Sequence, residues 1–209
     1  MEAWRSLIRR AVARLQAIGL DTRDWTWGGG TVLMLRYQHR QSRDVDIFIN
    51  DVQYLSYLSP RLDDRETDDL LEYHEQANHL RLEYPEGEVD FLTVAPVFPG
   101  LNPQTMSLEG LPGDIQLMQD KEILGQKLHY RAAGFTGRDL YDFVAVTRGD
   151  PDLLLDRELQ HIAERRRDAL EVALASPNCE RGYDGIDQPS LNISFSAARS
   201  TLLDWIGSR

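Results

Sequence analysis

A single cysteine, Cys179, stands among 209 residues, so no disulfide can close within the chain. No zinc motif accompanies it. His74 and His79 are five apart, a poor spacing for a shared ligand on either a helix or a strand, while His39, His129 and His161 stand alone. No apolar run approaches the roughly 20 residues of a membrane span. Arg5, Arg9, Arg10 and Arg14 are scattered through an amphipathic segment rather than grouped before a signal-peptide core. No membrane partner is therefore expected, and the cytoplasm is the expected location. Positive charge is also scarce: 23 Lys and Arg face 34 Asp and Glu, a net charge of −11. That balance argues against a simple nucleic-acid binder, because neutralising phosphates with Lys and Arg drives such binding. No repeat or low-complexity tract is visible. With 42% hydrophobic residues the chain can bury the core of a globular unit of one or two lobes.

The most informative features present are carboxylates inside apolar strands. Asp44-Val45-Asp46 opens a run continued by Ile47, Phe48 and Ile49, and Asp90 lies in Val89-Asp90-Phe91-Leu92. Residues two apart on a strand share a face, so Asp44 and Asp46 project together. With Asp90 on a neighbouring strand, three like charges would raise one another's pKa unless a cation neutralised them. The cluster predicts magnesium, which takes one or two carboxylates, waters and substrate phosphates, and so points to a nucleoside triphosphate. A phosphate cradle is at hand in Gly28-Gly29-Gly30-Thr31, between a short strand at Trp25-Thr26-Trp27 and a helix starting at Val32. Glycines there permit positive φ and close backbone approach, and free amides at a helix start attract anions. In so acidic a chain an Asp-x-Asp also arises by chance: Asp150-Pro151-Asp152 is a second one and reads as a helix N-cap. A glycine triplet alone is most often a turn.

Periodicity places a helix near residues 3–19, with Trp4, Leu7, Ile8, Val12, Leu15 and Ile18 at helical spacing and Gly19 as its end. A helix near 52–58 follows the Asp strand, then a charged loop at 61–69. Strands near 72–84, with a break, and 88–94 flank the turn Pro85-Glu86-Gly87. Pro96, Pro99, Gly100 and Pro103 mark a rigid loop. Beyond it the chain reads as helices at 119–132, 137–147, 151–174 and 196–206. The expected architecture is α+β, with a mixed-sheet catalytic lobe at 1–118 and a helical lobe at 119–209, and the active site between them. Two basic segments stand out, Arg36, His39, Arg40 and Arg43, and Lys121, Lys127, Arg131 and Arg138. They read either as a basic cleft or as solvated helix surface.

The run from Trp27-Gly-Gly-Gly-Thr31 to His39-Arg-Gln-Ser42-Arg-Asp44-Val-Asp46-Ile-Phe48 resembles the Gly-Gly and Arg-x-Ser-x-Asp-x-Asp signature of the polymerase-β-like nucleotidyltransferases. More narrowly it resembles the AbiEii/AbiGii toxins of type IV toxin–antitoxin systems. Glu122-Ile-Leu-Gly-Gln-Lys127 and Arg131 with Arg138-Asp139-Leu-Tyr-Asp142 resemble that family's downstream helical motifs. Gln126 departs from the Glu that many members carry before the lysine. The resemblance spans residues 25–148. It implies an Mg²⁺-dependent transfer of a nucleotide from an NTP to an acceptor hydroxyl. Asp44, Asp46 and Asp90 would hold two metals. Gly29, Gly30, Thr31 and Ser42 would cradle phosphates, and Lys127 would clamp them. Asp139 would orient the acceptor hydroxyl or pair with Arg138 or Lys127, and Asp142, ranked below it, would form a structural salt bridge. The implied acceptor is a tRNA 3′ end and the implied partner an antitoxin. The other expectations are a small-molecule or protein acceptor, and a non-catalytic partner-binding module of the same fold.

Overall fold

The computed structural model describes residues 3–62, 69–111 and 113–208. Most of the charged loop expected at 61–69 lies outside the described residues. Two units divide the chain. The first comprises Met1–Val32, Ser42–Ala95 and Asn102–Gln119, and the second Leu33–Gln41, Pro96–Leu101 and Asp120–Arg209. A simple cut after residue 118 therefore leaves out two segments, 33–41 and 96–101, that belong with the helices. Their chemistry explains it: Arg36 pairs with Asp120, and the amides of Val97 and Phe98 each donate to the Glu122 carboxylate at 2.8 Å.

Unit one is built on a seven-stranded mixed sheet in the order β3-β4-β5-β2-β1-β7-β6. The strands are β1 Trp25–Gly28, β2 Val45–Ile49, β3 Glu72–Gln76, β4 His79–Tyr84, β5 Gly87–Leu92, β6 Gln104–Ser107 and β7 Asp114–Leu117. β2 runs parallel to β5 and antiparallel to β1. Alternation decides the faces: Val45, Ile47, Ile49, Leu80, Leu82, Val89 and Phe91 are buried. Asp46, Phe48, His79, Arg81 and Glu83, at the intervening positions, are half-buried. Helix α1, Ala3–Ala17, buries Trp4, Leu7, Ile8, Ala11, Val12 and Leu15 and packs on β5 and β2. Gly19, at φ 85°, takes the left-handed turn that follows it. Helix α3, Gln53–Leu58, is capped by buried Arg14, which donates to the Leu58 carbonyl at 2.9 Å. β6 and β7 escaped the sequence reading because both are four residues long and sit among prolines and glycines.

Helix α2, Gly29–Tyr37, begins in unit one and ends in unit two. Unit two continues with α4 Asp120–Tyr130, α5 Gly137–Gly149, α6 Arg157–Arg165, α7 Arg167–Leu174, α8 Pro177–Asp184 and α9 Phe195–Gly207. The long helix expected over 151–174 is instead a 3-10 turn at Pro151–Leu155 followed by α6 and α7, whose break falls at Arg166 (φ −110°, ψ 7°). Helix α8 lies between the helices expected at 151–174 and 196–206: Ser176 caps it and Pro177 occupies its first turn. Its Cys179 is buried, 3% exposed. α5 packs on α8 through Gly137, where a Cβ would sit 2.2 Å from the Tyr183 nitrogen and 2.3 Å from the Cys179 carbonyl oxygen. These neighbours are backbone and cannot rotate away. Gly137→Ala is expected to cost about 2–3 kcal/mol, as overpacking does, lowering the melting temperature by several degrees. Thermal unfolding followed by circular dichroism checks this.

Candidate active site

In unit one the chain leaves β1 at Gly28 and enters α2 through Gly29, at φ 73°, a left-handed conformation that glycine adopts without a Cβ penalty. The Asp46 carboxylate lies against this turn: a Cβ on Gly29 would stand 1.8 Å from Asp46 Oδ2. Thr31 is fully buried, and its hydroxyl faces inward, contacting the Asp44 carbonyl and lying 2.9 Å from Ser42 Oγ. In the structure, then, Thr31 and Ser42 tie the start of α2 to the segment leading into β2. Asp44 is half-buried, and its Oδ1 accepts the Glu88 amide at 3.3 Å.

Strand pairing sets Gly28 opposite Asp46, Asp46 beside Asp90, Asp90 opposite Arg81 and Arg81 opposite His74. These residues make one row across five strands. Asp90 is 7% exposed, and both of its oxygens are engaged. Arg81 donates from Nε to Oδ1 at 2.9 Å and from Nη2 to Oδ2 at 3.0 Å, while His79 Nε2 lies 2.7 Å from Oδ1. Burial pushes the Asp90 carboxyl up, but the hydrogen bonds from His79 and Arg81 hold it below its ordinary value. Arg81 Nη1 also reaches Glu88 Oε2 at 2.9 Å. Among the described residues, the three aspartates do not form a group whose ligand atoms all lie within 4.8 Å of one another, whereas Glu72, His74 and Glu83 do.

Unit two contributes a buried ionic cluster. Lys127, 8% exposed, places Nζ 2.6 Å from Asp139 Oδ1 and 3.0 Å from Asp142 Oδ2. Asp139 is the third residue of α5 and closes a capping box with Thr136, and Arg131 approaches its Oδ2 at 3.2 Å. Asp142, one helical turn on, accepts a two-pronged bond from Arg40 at 2.7 and 2.9 Å, with His39 Nε2 2.6 Å from Oδ1. Burial pushes both carboxyls up, yet Lys127 and the arginines hold Asp139 below, and Asp142 well below, the usual carboxylate range. Burial would lower the Lys127 ammonium, but Asp139 and Asp142 raise it overall. The lysine is therefore a buried, fixed charge rather than a solvated helix residue.

By sequence, Asp142 ranks below Asp139 and His39 stands alone. The structure makes Asp142 the hub on which His39, Arg40 and Lys127 converge. Much of the expected basic surface is internally paired: Arg36 on Asp120, Arg40 on Asp142, and Lys121 on Asp156 and Glu158 at 2.8 and 2.6 Å. Arg81 and His79 were not anticipated at all.

A family model described as "Nucleotidyl transferase AbiEii toxin, Type IV TA system" matches residues 11–201. The chain belongs to the AbiEii nucleotidyltransferase family. Its fold is also that of MenT4, a nucleotidyltransferase toxin from Mycobacterium tuberculosis H37Rv, with a TM-score of 0.60 at 14% identity over 97% of this chain and 82% of that one. The solution structure of the antibiotic-resistance factor ANT(2'')-Ia is similar at a TM-score of 0.51 and 14% identity, covering 82% of this chain and 96% of that one. No curated protein matches the chain by sequence. As an AbiEii-family enzyme, the chain carries its Asp-x-Asp pair and glycine turn in unit one and its Lys-Asp-Asp cluster in unit two. No helix among the described residues is long and apolar enough to cross a membrane.

Proposed function

We propose that this AbiEii-family enzyme transfers a nucleotidyl group from an NTP to an acceptor hydroxyl with Asp44 and Asp46 as its magnesium ligands. The observation that carries this reading is the packing of the Asp46 carboxylate against the left-handed Gly29 turn at the start of α2. Only a residue without a Cβ brings backbone and carboxylate so close, and a helix start beside a metal-binding carboxylate suits a metal-bound triphosphate. The donors fit the ion, since hard carboxylate oxygens with room for water and phosphate are what Mg²⁺ takes. When bound, it would neutralise phosphate charge on the nucleotide.

In the proposed reaction the acceptor oxygen attacks the α-phosphorus, the bond from that phosphorus to the α,β-bridging oxygen breaks, and pyrophosphate leaves as the acceptor loses its proton. The Gly29 and Gly30 amides would bind β- and γ-phosphates. Lys127, held rigid by Asp139 and Asp142, would supply positive charge for the phosphates without reorganising. Asp139, 1% exposed with Lys127 on one oxygen and Thr136 on the other, would fix that lysine rather than touch the acceptor. Family membership favours RNA as acceptor, with a tRNA 3′ end as the specific proposal, and an antitoxin as the partner that restrains the activity. A second reading, a small hydroxylated acceptor, is favoured by the internal pairing of the basic segments.

The test is a transfer assay with each α-labelled NTP against total tRNA and a panel of hydroxylated small molecules, with Asp46→Asn as control. Label on tRNA that disappears in the variant supports the RNA reading, and label only on a small molecule replaces it. A binding test stands beside it: Mg²⁺ with the preferred NTP at 100 times its Kd is expected to add about 2.7 kcal/mol of stability. That is a rise of several degrees in melting temperature, and no shift at millimolar nucleotide would count against catalysis.

A further inference from the structure

Resting on the nucleotidyl-transfer reading, we propose that this chain takes one divalent cation, on Asp44 and Asp46, and that the Arg81 guanidinium, held on Asp90, stands in place of a second.

Sheet register carries the argument. Asp90 is the partner of Asp46 on β2 and of Arg81 on β4, so all three side chains leave the same face of the sheet at neighbouring positions. Strand pairing, rather than the reach of a flexible side chain, puts the guanidinium there. Its fork then takes up both Asp90 oxygens, and its remaining nitrogen is held by Glu88 Oε2 at 2.9 Å. His79 covers Oδ1 from a further direction at 2.7 Å. Two-pronged, charge-assisted bonds of this kind are among the stronger polar contacts a protein makes. A metal ion could share this carboxylate only by displacing the fork or by standing against its positive charge.

The surroundings agree. The Glu88 amide fastens Asp44, while the Glu88 carboxylate lies 2.9 Å from Arg81. Three carboxylates, Asp44, Glu88 and Asp90, thus act on one guanidinium. Arg81 relieves their repulsion permanently, which a second cation would do only when bound. Asp46, for its part, faces the Gly29 turn.

The experiment counts metal. Mn²⁺ bound per chain is measured by electron paramagnetic resonance and equilibrium dialysis at saturating non-hydrolysable NTP analogue, with thermal unfolding confirming that each variant is folded. One Mn²⁺ per chain is expected for the natural protein and for Asp90→Asn, and none retained at the protein site for Asp46→Asn. Arg81→Gln, which releases Asp90, is expected to bind two. Two ions in the natural protein, one of them lost in Asp90→Asn, would overturn the proposal. So would an Arg81→Gln variant that still binds one, because the guanidinium would then not be what excludes the second. Absence of both nucleotide and Mn²⁺ binding in the natural protein would instead sink the nucleotidyl-transfer reading, and this proposal with it.

Discussion

Gly29→Ala is expected to reduce kcat/KM for nucleotidyl transfer by at least about 100-fold, the scale on which ~1 Å misplacements act. Two effects coincide at this position. Its φ of 73° costs an L-residue about 1–2 kcal/mol. The added methyl carbon would also stand 1.8 Å from Asp46 Oδ2 and 2.5 Å from Asp46 Cγ, far inside the ~3.5 Å of ordinary contact. Asp46 must then rotate out of its place or the start of α2 must move, and either change separates the proposed metal ligand from the proposed phosphate-binding amides. Gly19→Ala is the control. It has a similar φ of 85° but nothing within 4 Å of a new Cβ, so it should lose only the same backbone cost of about 1–2 kcal/mol of stability and leave transfer unchanged. Steady-state kinetics beside thermal unfolding separate the two cases. A Gly29→Ala enzyme with natural activity would remove the close approach from the mechanism.

Asp142→Ala should be the most destabilising change in unit two. Its carboxylate is fully buried and receives Arg40, His39 and Lys127, so removing it strands buried cations without a counter-charge. Breaking one side of a buried pair costs about 3–5 kcal/mol, and at roughly 2–4 °C per kcal/mol for a chain of this size the melting temperature should fall by about 10 °C. Asp142→Asn, keeping shape and one acceptor, should fall less. By contrast, removing the exposed Asp21 partner of Arg23 should leave the melting temperature unmoved. The same buried pairs set the acid limit. The folded-state pKa values of Asp139 and Asp142 are depressed, so the stability they contribute is fully present above their unfolded value of about 3.9. It is lost as pH falls through the lower folded values. Acid unfolding of the natural protein should accordingly steepen below about pH 4. The Asp142→Asn protein should show a shallower loss over that range, as read by circular dichroism against pH.

How much of this could be read from residues alone depended on the range of the interaction. The Trp25-to-Phe48 region was legible because strand, glycine turn, helix and Asp strand follow one another within a few residues, each carrying its own periodicity. The pairing of Arg81 with Asp90 was legible in principle. Tyr84 and Gly87 are register partners across the Pro85-Glu86 turn, and counting outward from them reaches Arg81 opposite Asp90, but basic and acidic residues in alternating strands read as solvent-facing. Asp142 could not be singled out. Its partners His39 and Arg40 lie 103 and 102 residues away, and no local pattern encodes a hub assembled from α5, α4 and the segment that follows α2. The break at Arg166 was hidden because 151–174 keeps a continuous helical composition, whereas the short β6 and β7 have too few residues for alternation to show.

A lone thiol sealed beneath α5 also gives the protein a chemical clock. Because Cys179 is the only cysteine of the chain and is 3% exposed, with burial pushing its thiol pKa up, a disulfide reagent can react only when α8 lifts from its neighbours. The labelling rate, compared with that of the unfolded chain, therefore measures the free energy of that local opening. A single colour change would report, without any engineered probe, whether nucleotide or a partner tightens the helical unit.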